Sequence, residues 1–437
     1  MKKAALHNLG CKVNSYETEA MEELLVADGY EIVDFNQKAD VYLINTCSVT
    51  NIADRKSRQM IRKCKRMNPD SIVIATGCYI QNFGKDIPDE LGADIILGNN
   101  KKSLIIEKLH EYLESKQTVV DCIDINDGVV CYEKMHIEKD MEHTRAFVKV
   151  QDGCNQFCSY CIIPFARGRI RSREIEDVMQ EITTLAQNGY KEIVITGIHL
   201  SSYGNGLSYD LADLLEKVNS VAGLERIRLG SLEPQIITED FARRISSLDK
   251  ICPHFHLSLQ SGCDEVLKRM NRKYTIIEYY NGCEILRKYF SSPAITTDVI
   301  VGFPGESDEE FETTYDFLKK VNFYEMHVFQ YSKRKGTKAE RMPGQVLSET
   351  KKARSSKLIA LANQMTKEYI LSMKDKKMEV LFEELVEVDG EKYFIGFSKE
   401  YVKCAIKYSG VDLQNEIISV KGVSYLEQYQ YLVVENS

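Results

Sequence analysis

Short apolar runs alternate with longer segments of helical spacing over the first 125 residues. Residues 4–9, 41–45, 71–75 and 95–97 are brief, strongly apolar and bounded by polar or turn residues, which predicts buried strands. Asn14 with Glu17 reads as a capping box ahead of Met21, Leu24 and Leu25 at helical spacing, and residues 52–67 read as a second helix. This alternation predicts a doubly wound α/β unit over residues 1–125, a parallel sheet with helices on its faces. Residues 121–141 are polar, lack a period and read as a linker.

A second βα series begins at Arg145, with strands expected near Ala146, Glu192, Arg226, His254, Ala294 and Met326. The clearest helix follows Glu174, with Ile175, Val178, Met179, Ile182 and Leu185 on one face. Six βα units over residues 140–372 predict a partial (β/α)6 barrel, closed by a long helix at 348–375. Beyond it the period changes. Alternating runs at 378–385, 392–397, 402–407 and 431–435 are broken by Asp389-Gly390, Ser409-Gly410 and Lys421-Gly422, which predicts a small all-β barrel over residues 373–437.

The chain has 437 residues, 43% of them apolar and 28% charged, enough for more than one core. No run approaches the roughly 20 apolar residues of a membrane span, and the first residues lack a signal-peptide core. The protein therefore reads as cytoplasmic, with no membrane partner. In that reducing setting its 13 cysteines point to metal or catalysis rather than a disulfide framework.

A net charge of −8 gives no general attraction to nucleic acid, so RNA contacts must come from local patches. Residues 55–66 carry seven positive charges and no acid, which makes Arg55, Arg58, Arg62 and Arg66 candidate phosphate contacts, with Ile52, Met60 and Cys64 left to pack. Arg167 and Arg169 begin a run of arginines on alternate residues and are read the same way. Lys333, Arg334, Lys335, Lys338 and Arg341 form a third patch. The C-terminal barrel is acidic, eight lysines against twelve carboxylates from Met373 on, an odd charge for an RNA-binding module.

Cys154, Cys158 and Cys161 follow the first strand of the second series at C-x3-C-x2-C spacing. Three thiolates in one tight loop can hold three irons of a [4Fe–4S] cluster and leave the fourth open. Structural zinc instead wants four ligands, usually as two separated pairs, and the nearest downstream histidine is His199. Cys11, Cys47 and Cys78 each follow one of the first three strands, in "LGCKVN", "NTCSVT" and "TGCYIQ". Carboxyl ends of neighbouring parallel strands converge on one edge, so these three meet as a second iron–sulfur site. The other reading is that they are small buried residues at strand ends. Cys64, Cys122, Cys131, Cys252, Cys263, Cys283 and Cys404 form no ligand pattern, and neither do the eight histidines.

The cysteine loop resembles that of radical S-adenosylmethionine (SAM) enzymes. The resemblance implies SAM contacts at Tyr160 in the loop, Gly197 after the second strand, Ser231 and Glu233 after the third, Gln260 after the fourth, and Gly302 within "VIVGFPGE". Together with the dispersed triad and the terminal barrel, the chain resembles the methylthiotransferase family, which ends in a small OB-like TRAM barrel. "LGCKVNSYETEAM", "CSYCIIPFARGRIRSR" and "TGIHLSSYG" look most like the branch acting on N6-threonylcarbamoyladenosine at tRNA position 37. The resemblance implies two [4Fe–4S] clusters, SAM as both methyl donor and radical source, a tRNA anticodon stem-loop as substrate, and a low-potential electron donor. The alternatives are the same chemistry on N6-isopentenyladenosine, or a non-catalytic RNA-binding protein with structural metals.

Overall fold

A computed structural model describes residues 1–83, 91–128, 130–138 and 144–437. The first series forms β1 (Lys2–Asn8), α1 (Lys12–Ala27), β2 (Tyr30–Ile32), β3 (Val41–Thr46), α2 (Asn51–Met67), β4 (Ile72–Gly77), α3 (Cys78–Phe83), β5 (Ile95–Leu97), α4 (Ile105–Ser115) and β6 (Val119–Asp121). The sheet is wholly parallel, in the order β2-β1-β3-β4-β5-β6. All six residues of β3 are buried, as expected where helices cover both faces. The strand order reverses between β1 and β3, the point at which such sheets bind ligands. The edge strands β2 and β6 were not expected; each is three residues with one buried position, whereas equally short β5 is wholly apolar and buried.

The capping-box reading of Asn14 and Glu17 is corrected. Helix α1 starts at Lys12 with Cys11 as its N-cap, so both residues lie inside the helix and are buried. The Asn14 amide donates instead to the carbonyls of Leu9 (2.8 Å) and Thr46 (3.1 Å), tying the ends of β1 and β3 together. In α2 the buried positions are Ser57, Ile61 and Cys64, while Ile52 is exposed rather than packed. The linker is a packed strap. Beyond Asp121, the end of β6, its described residues hold no helix or strand, yet Met135 and Ile137 are buried, and the Ile137 amide donates to Glu181 (2.7 Å). Residues 129 and 139–141, with the expected boundary at 140, lie outside the described residues.

The second series is β7 (Ala146–Asp152), α5 (Ile163–Arg167), β8 (Arg171–Ser172), α6 (Ile175–Gln187), β9 (Glu192–Gly197), α7 (Leu211–Asn219), β10 (Arg226–Leu229), α8 (Glu239–Ser246), β11 (His254–His256), α9 (Asp264–Arg269), α10 (Ile276–Tyr289), β12 (Ala294–Val301), α11 (Asp308–Val321), β13 (Glu325–Gln330) and α12 (Ser348–Ser372). Strands β10-β9-β7 and β11-β12-β13 are parallel sets, joined by parallel bridges Ile227↔Ile251 and Leu232↔Leu257. The result is the expected six-stranded partial barrel.

The last segment closes into a five-stranded barrel of β14 (Lys377–Val388), β15 (Glu391–Ser398), β16 (Lys403–Lys407), β17 (Ile417–Leu426) and β18 (Tyr431–Asn436), ordered β14-β15-β16-β18-β17. Strand β17 was missed because a bulge between Gly422 and Ser424 breaks its alternation. This barrel seats under the N-terminal ends of the partial-barrel strands. Arg226 and Arg228 of β10 donate to its carbonyls at Phe397, Glu379, Lys399 and Ser398, at 2.9–3.2 Å. The opposite, C-terminal strand ends remain for the site. Among the described residues no helix is long and apolar enough to cross a membrane.

Candidate active site

The C-x3-C-x2-C loop leaves β7 through Gly153, whose φ of +73° and closeness to Arg169 (a Cβ would stand 1.9 Å from that carbonyl) exclude a side chain. The loop is anchored from behind by hydrogen bonds from the Asn271 amide to the Phe157 carbonyl (2.9 Å), from the Ser159 amide to Met270 (2.9 Å) and from the Ala339 amide to Ser159 (2.7 Å). Each sulfur has a donor aimed at it. The Gln156 amide points to Cys154 (3.4 Å), the Ile163 amide to Cys161 (3.4 Å), and the Arg272 guanidinium to Cys158 (3.3 Å). Burial pushes the Cys154 thiol up to about 11 and the Cys161 thiol to about 12, so these are thiolates only where a metal replaces the proton.

The second triad forms at the switch point. Gly10 lies against Cys47, with a built Cβ 3.1 Å from its sulfur. Gly77, at φ +98° and 2.4 Å from the Thr46 carbonyl by the same measure, makes the tight turn that starts α3 at Cys78. Cys11 and Cys47 both feel the charge of Cys78, and burial pushes the Cys47 thiol up to about 11. Cys78 accepts from Arg167 Nε (3.4 Å) and Asn99 Nδ2 (3.6 Å).

Zinc–sulfur bonds of about 2.3 Å would place tetrahedral ligand sulfurs only about 3.8 Å apart. Among the described residues neither cysteine triad has its three donor atoms within 4.8 Å of one another. Both triads have N–H donors aimed at sulfur, the loop amides and Arg272 at one and Arg167 and Asn99 at the other, so the residues fit iron–sulfur clusters. The set that does meet that distance is His256, Asp298 and His327, contrary to the reading that the histidines form no pattern. They sit on β11, β12 and β13, and only the strand register, which pairs Asp298 with His327, brings them together.

Of the expected SAM contacts outside the loop, Glu233 is linked to it through Arg272 and His199. It is bridged by Arg272 with two 2.6 Å bonds and lies 3.8 Å from His199, which meets Gln156 of the loop at 3.3 Å. Tyr160 packs edge-on to Phe303. Gln260 takes a positive φ of +70° where its chain bridges Val299, and Ser231 is exposed. Gly197 abuts Gln151, and Gly302 is covered by the Lys351 side chain. Arg272 and His199 were not singled out from sequence, since neither lies in the cysteine motif.

The basic patches divide. Arg55, Arg62, Arg66 and Arg169 are exposed, Arg169 stacking over Phe157 at 4.6 Å, while Arg58 is half-buried against Tyr79. Arg167 is corrected. It is fully buried and bonds Glu17, Asp152 and Asn14, so it offers no surface to RNA. Arg334 is likewise buried, paired with Asp54 at 2.6 Å.

A parallel partial barrel with this cysteine loop at the strand ends defines a radical SAM enzyme. Residues 148–318 match the Radical SAM superfamily, and residues 3–98 match Uncharacterized protein family UPF0004. The chain is 43% identical to the threonylcarbamoyladenosine tRNA methylthiotransferase MtaB of Bacillus subtilis (strain 168), over 100% of this chain and 98% of that protein. It is 37% identical to the tRNA-2-methylthio-N(6)-dimethylallyladenosine synthase of Thermoanaerobacter pseudethanolicus, over 89% and 83%. A solved structure of the radical SAM methyltransferase TsrM from Kitasatospora setae shares the fold, with a TM-score of 0.56 and 15% identity over 76% of this chain and 75% of that one. The chain belongs to the radical SAM methylthiotransferase family, and its cofactors are SAM and [4Fe–4S] clusters.

Proposed function

We propose that the protein adds a methylthio group at C2 of N6-threonylcarbamoyladenosine at position 37 in the anticodon loop of tRNA. The observation that carries this is the packing of α1, which follows Cys11, on β7, which leads into the Cys154 loop, within a chain similar over its full length to enzymes of that name. Cys154, Cys158 and Cys161 would hold one cluster, with SAM at its fourth iron; Cys11, Cys47 and Cys78 would hold the other. Together these groups supply one-electron chemistry strong enough to break an aromatic C–H bond, which side chains do not.

The chain's own part is to orient and enclose. Backbone amides and Arg272 fix the three loop sulfurs, and Glu233 holds Arg272 in place. The terminal barrel plugs the lumen from below, which keeps bulk water from that end. The lumen floor is cationic. Arg145, Arg226 and Arg228 share Glu192, and Lys12, beside Cys11, faces Arg145, Arg228 and Glu192 without an ion pair of its own among the described residues. Lys12 is solvent-accessible yet so closely surrounded that burial, then repulsion by those arginines, pushes its ammonium down to about 8. A threonylcarbamoyl group ends in a carboxylate and suits such a floor; a branched hydrocarbon substituent wants an apolar wall. Arg55, Arg62, Arg66 and Arg169 would contact tRNA phosphates. A low-potential donor must supply the electron.

Nucleoside mass spectrometry of tRNA from cells with and without this chain tests the reading. Loss of the 2-methylthio form of threonylcarbamoyladenosine, restored by re-expression, is the expected result. Loss of the methylthio-isopentenyl nucleoside instead would overturn the substrate, and no change in either would overturn the activity.

A further inference from the structure

Cys78 borders a buried ion network that joins the first sheet to the partial barrel. Glu17 of α1 receives Arg167 Nη1 (2.7 Å) and Nη2 (2.9 Å), Lys149 (2.7 Å) and Lys102. Asp152, at the end of β7, receives Lys149 (2.7 Å), Arg167 (3.3 Å) and Arg171 (3.5 Å). All six side chains are at most 7% exposed. Two carboxylates face three cations, Lys102, Lys149 and Arg167, and a fourth in Arg171. Unbalanced charge at such depth is costly unless another group answers it. The remaining polar neighbour of the Arg167 fork is a sulfur, Cys78 Sγ, 3.4 Å from Nε, while Nη2 is pinned by Asn14 Oδ1 at 2.6 Å.

We propose that Arg167 is a positioning residue for the iron–sulfur cluster on Cys11, Cys47 and Cys78, donating a charged hydrogen bond to the Cys78 thiolate and raising that cluster's reduction potential. The inference rests on those cysteines holding a cluster. The physical reason is simple. Reduction adds one negative charge to a group that already carries three thiolates, and a fixed cation with an N–H aimed at sulfur stabilises the reduced form more than the oxidised one. Arg167 ends α5, the helix that continues the Cys154–Cys161 loop, so the same side chain ties the loop of one cluster to a ligand of the other. Asn99 reinforces it, donating to Cys78 and to the Ala166 carbonyl (2.7 Å) while its Oδ1 accepts from Lys102 (2.8 Å).

The test uses the full chain with Cys154, Cys158 and Cys161 replaced by alanine, so that all reducible iron belongs to the second site. Its midpoint potential is read by EPR-monitored titration. Arg167→Met is expected to keep about four iron per chain and to move the midpoint to more negative potential. Arg167→Lys, which keeps the charge without the planar fork, is expected to move it less. A wild-type midpoint in iron-loaded Arg167→Met would overturn the proposal. Should that variant fail to hold iron, the parent chain labelled with 15N-arginine decides. A 15N coupling to the cluster in pulsed EPR is expected, and its absence would overturn the proposal. A parent chain without any cluster would instead contradict the assignment of Cys11, Cys47 and Cys78, and this inference with it.

Discussion

Arg167 and Arg169 differ by two residues and have opposite fates. Both belong to a run of arginines that, in sequence, looks like one basic surface. The chain buries Arg167, Arg171 and Arg173 and leaves Arg169 in solvent. The reason was not legible, because the partners of Arg167 lie 15 and 150 residues away, at Asp152 and Glu17. Glu17 was misread for the same cause: a local capping role fits its spacing, and only the folded chain brings three cations to it. The placement of the six cysteines was legible because it depends only on short spacing or on strand ends. Lys12 is a residue-scale prediction. Lys12→Ala is expected to raise KM for tRNA bearing threonylcarbamoyladenosine by roughly ten- to a hundred-fold, the loss of a charged hydrogen bond worth about 1.5–3 kcal/mol. Iron content should stay unchanged, which separates substrate binding from damage at neighbouring Cys11. An unchanged KM would remove Lys12 from the floor's role.

At the scale of elements, the period of the chain placed every central strand of both α/β units. It failed on the short edge strands β2, β6 and β8 and on bulged β17, where no period can build up. Helix α2 was placed well and its faces only partly. Arg58 leans on Tyr79, and Asp54 pairs with Arg334 across to the partial barrel, so the outward face is carried by Arg55, Arg62 and Arg66. Reversing Arg62 and Arg66 to glutamate is therefore expected to weaken tRNA binding and flatten its log–log salt dependence by about one to two units, with both clusters retained. Affinity and slope measured by filter binding across salt concentrations check this. Identical slopes would make α2 an ordinary solvated face.

For the whole molecule, the sequence pattern showed three bodies in order and said nothing of how they meet. That arrangement is set by buried polar contacts between segments distant in the chain: Glu17 with Lys149 and Arg167, Arg334 with Asp54, and Arg228 with the carbonyls of Ser398 and Lys399. The acidity of the terminal barrel is partly used in this way, Glu383 pairing with Arg145 at 2.6 Å and Glu416 with Lys191 at 2.8 Å. The central claim is that two independent clusters share one reaction. A Cys11→Ala/Cys47→Ala/Cys78→Ala chain, reconstituted and assayed on one preparation for iron, deoxyadenosine and modified nucleoside, tests it most directly. The account expects about half the wild-type iron, continued reductive cleavage of SAM to deoxyadenosine, and no methylthio-adenosine. Full iron content, or methylthiolation at the wild-type level, would contradict it.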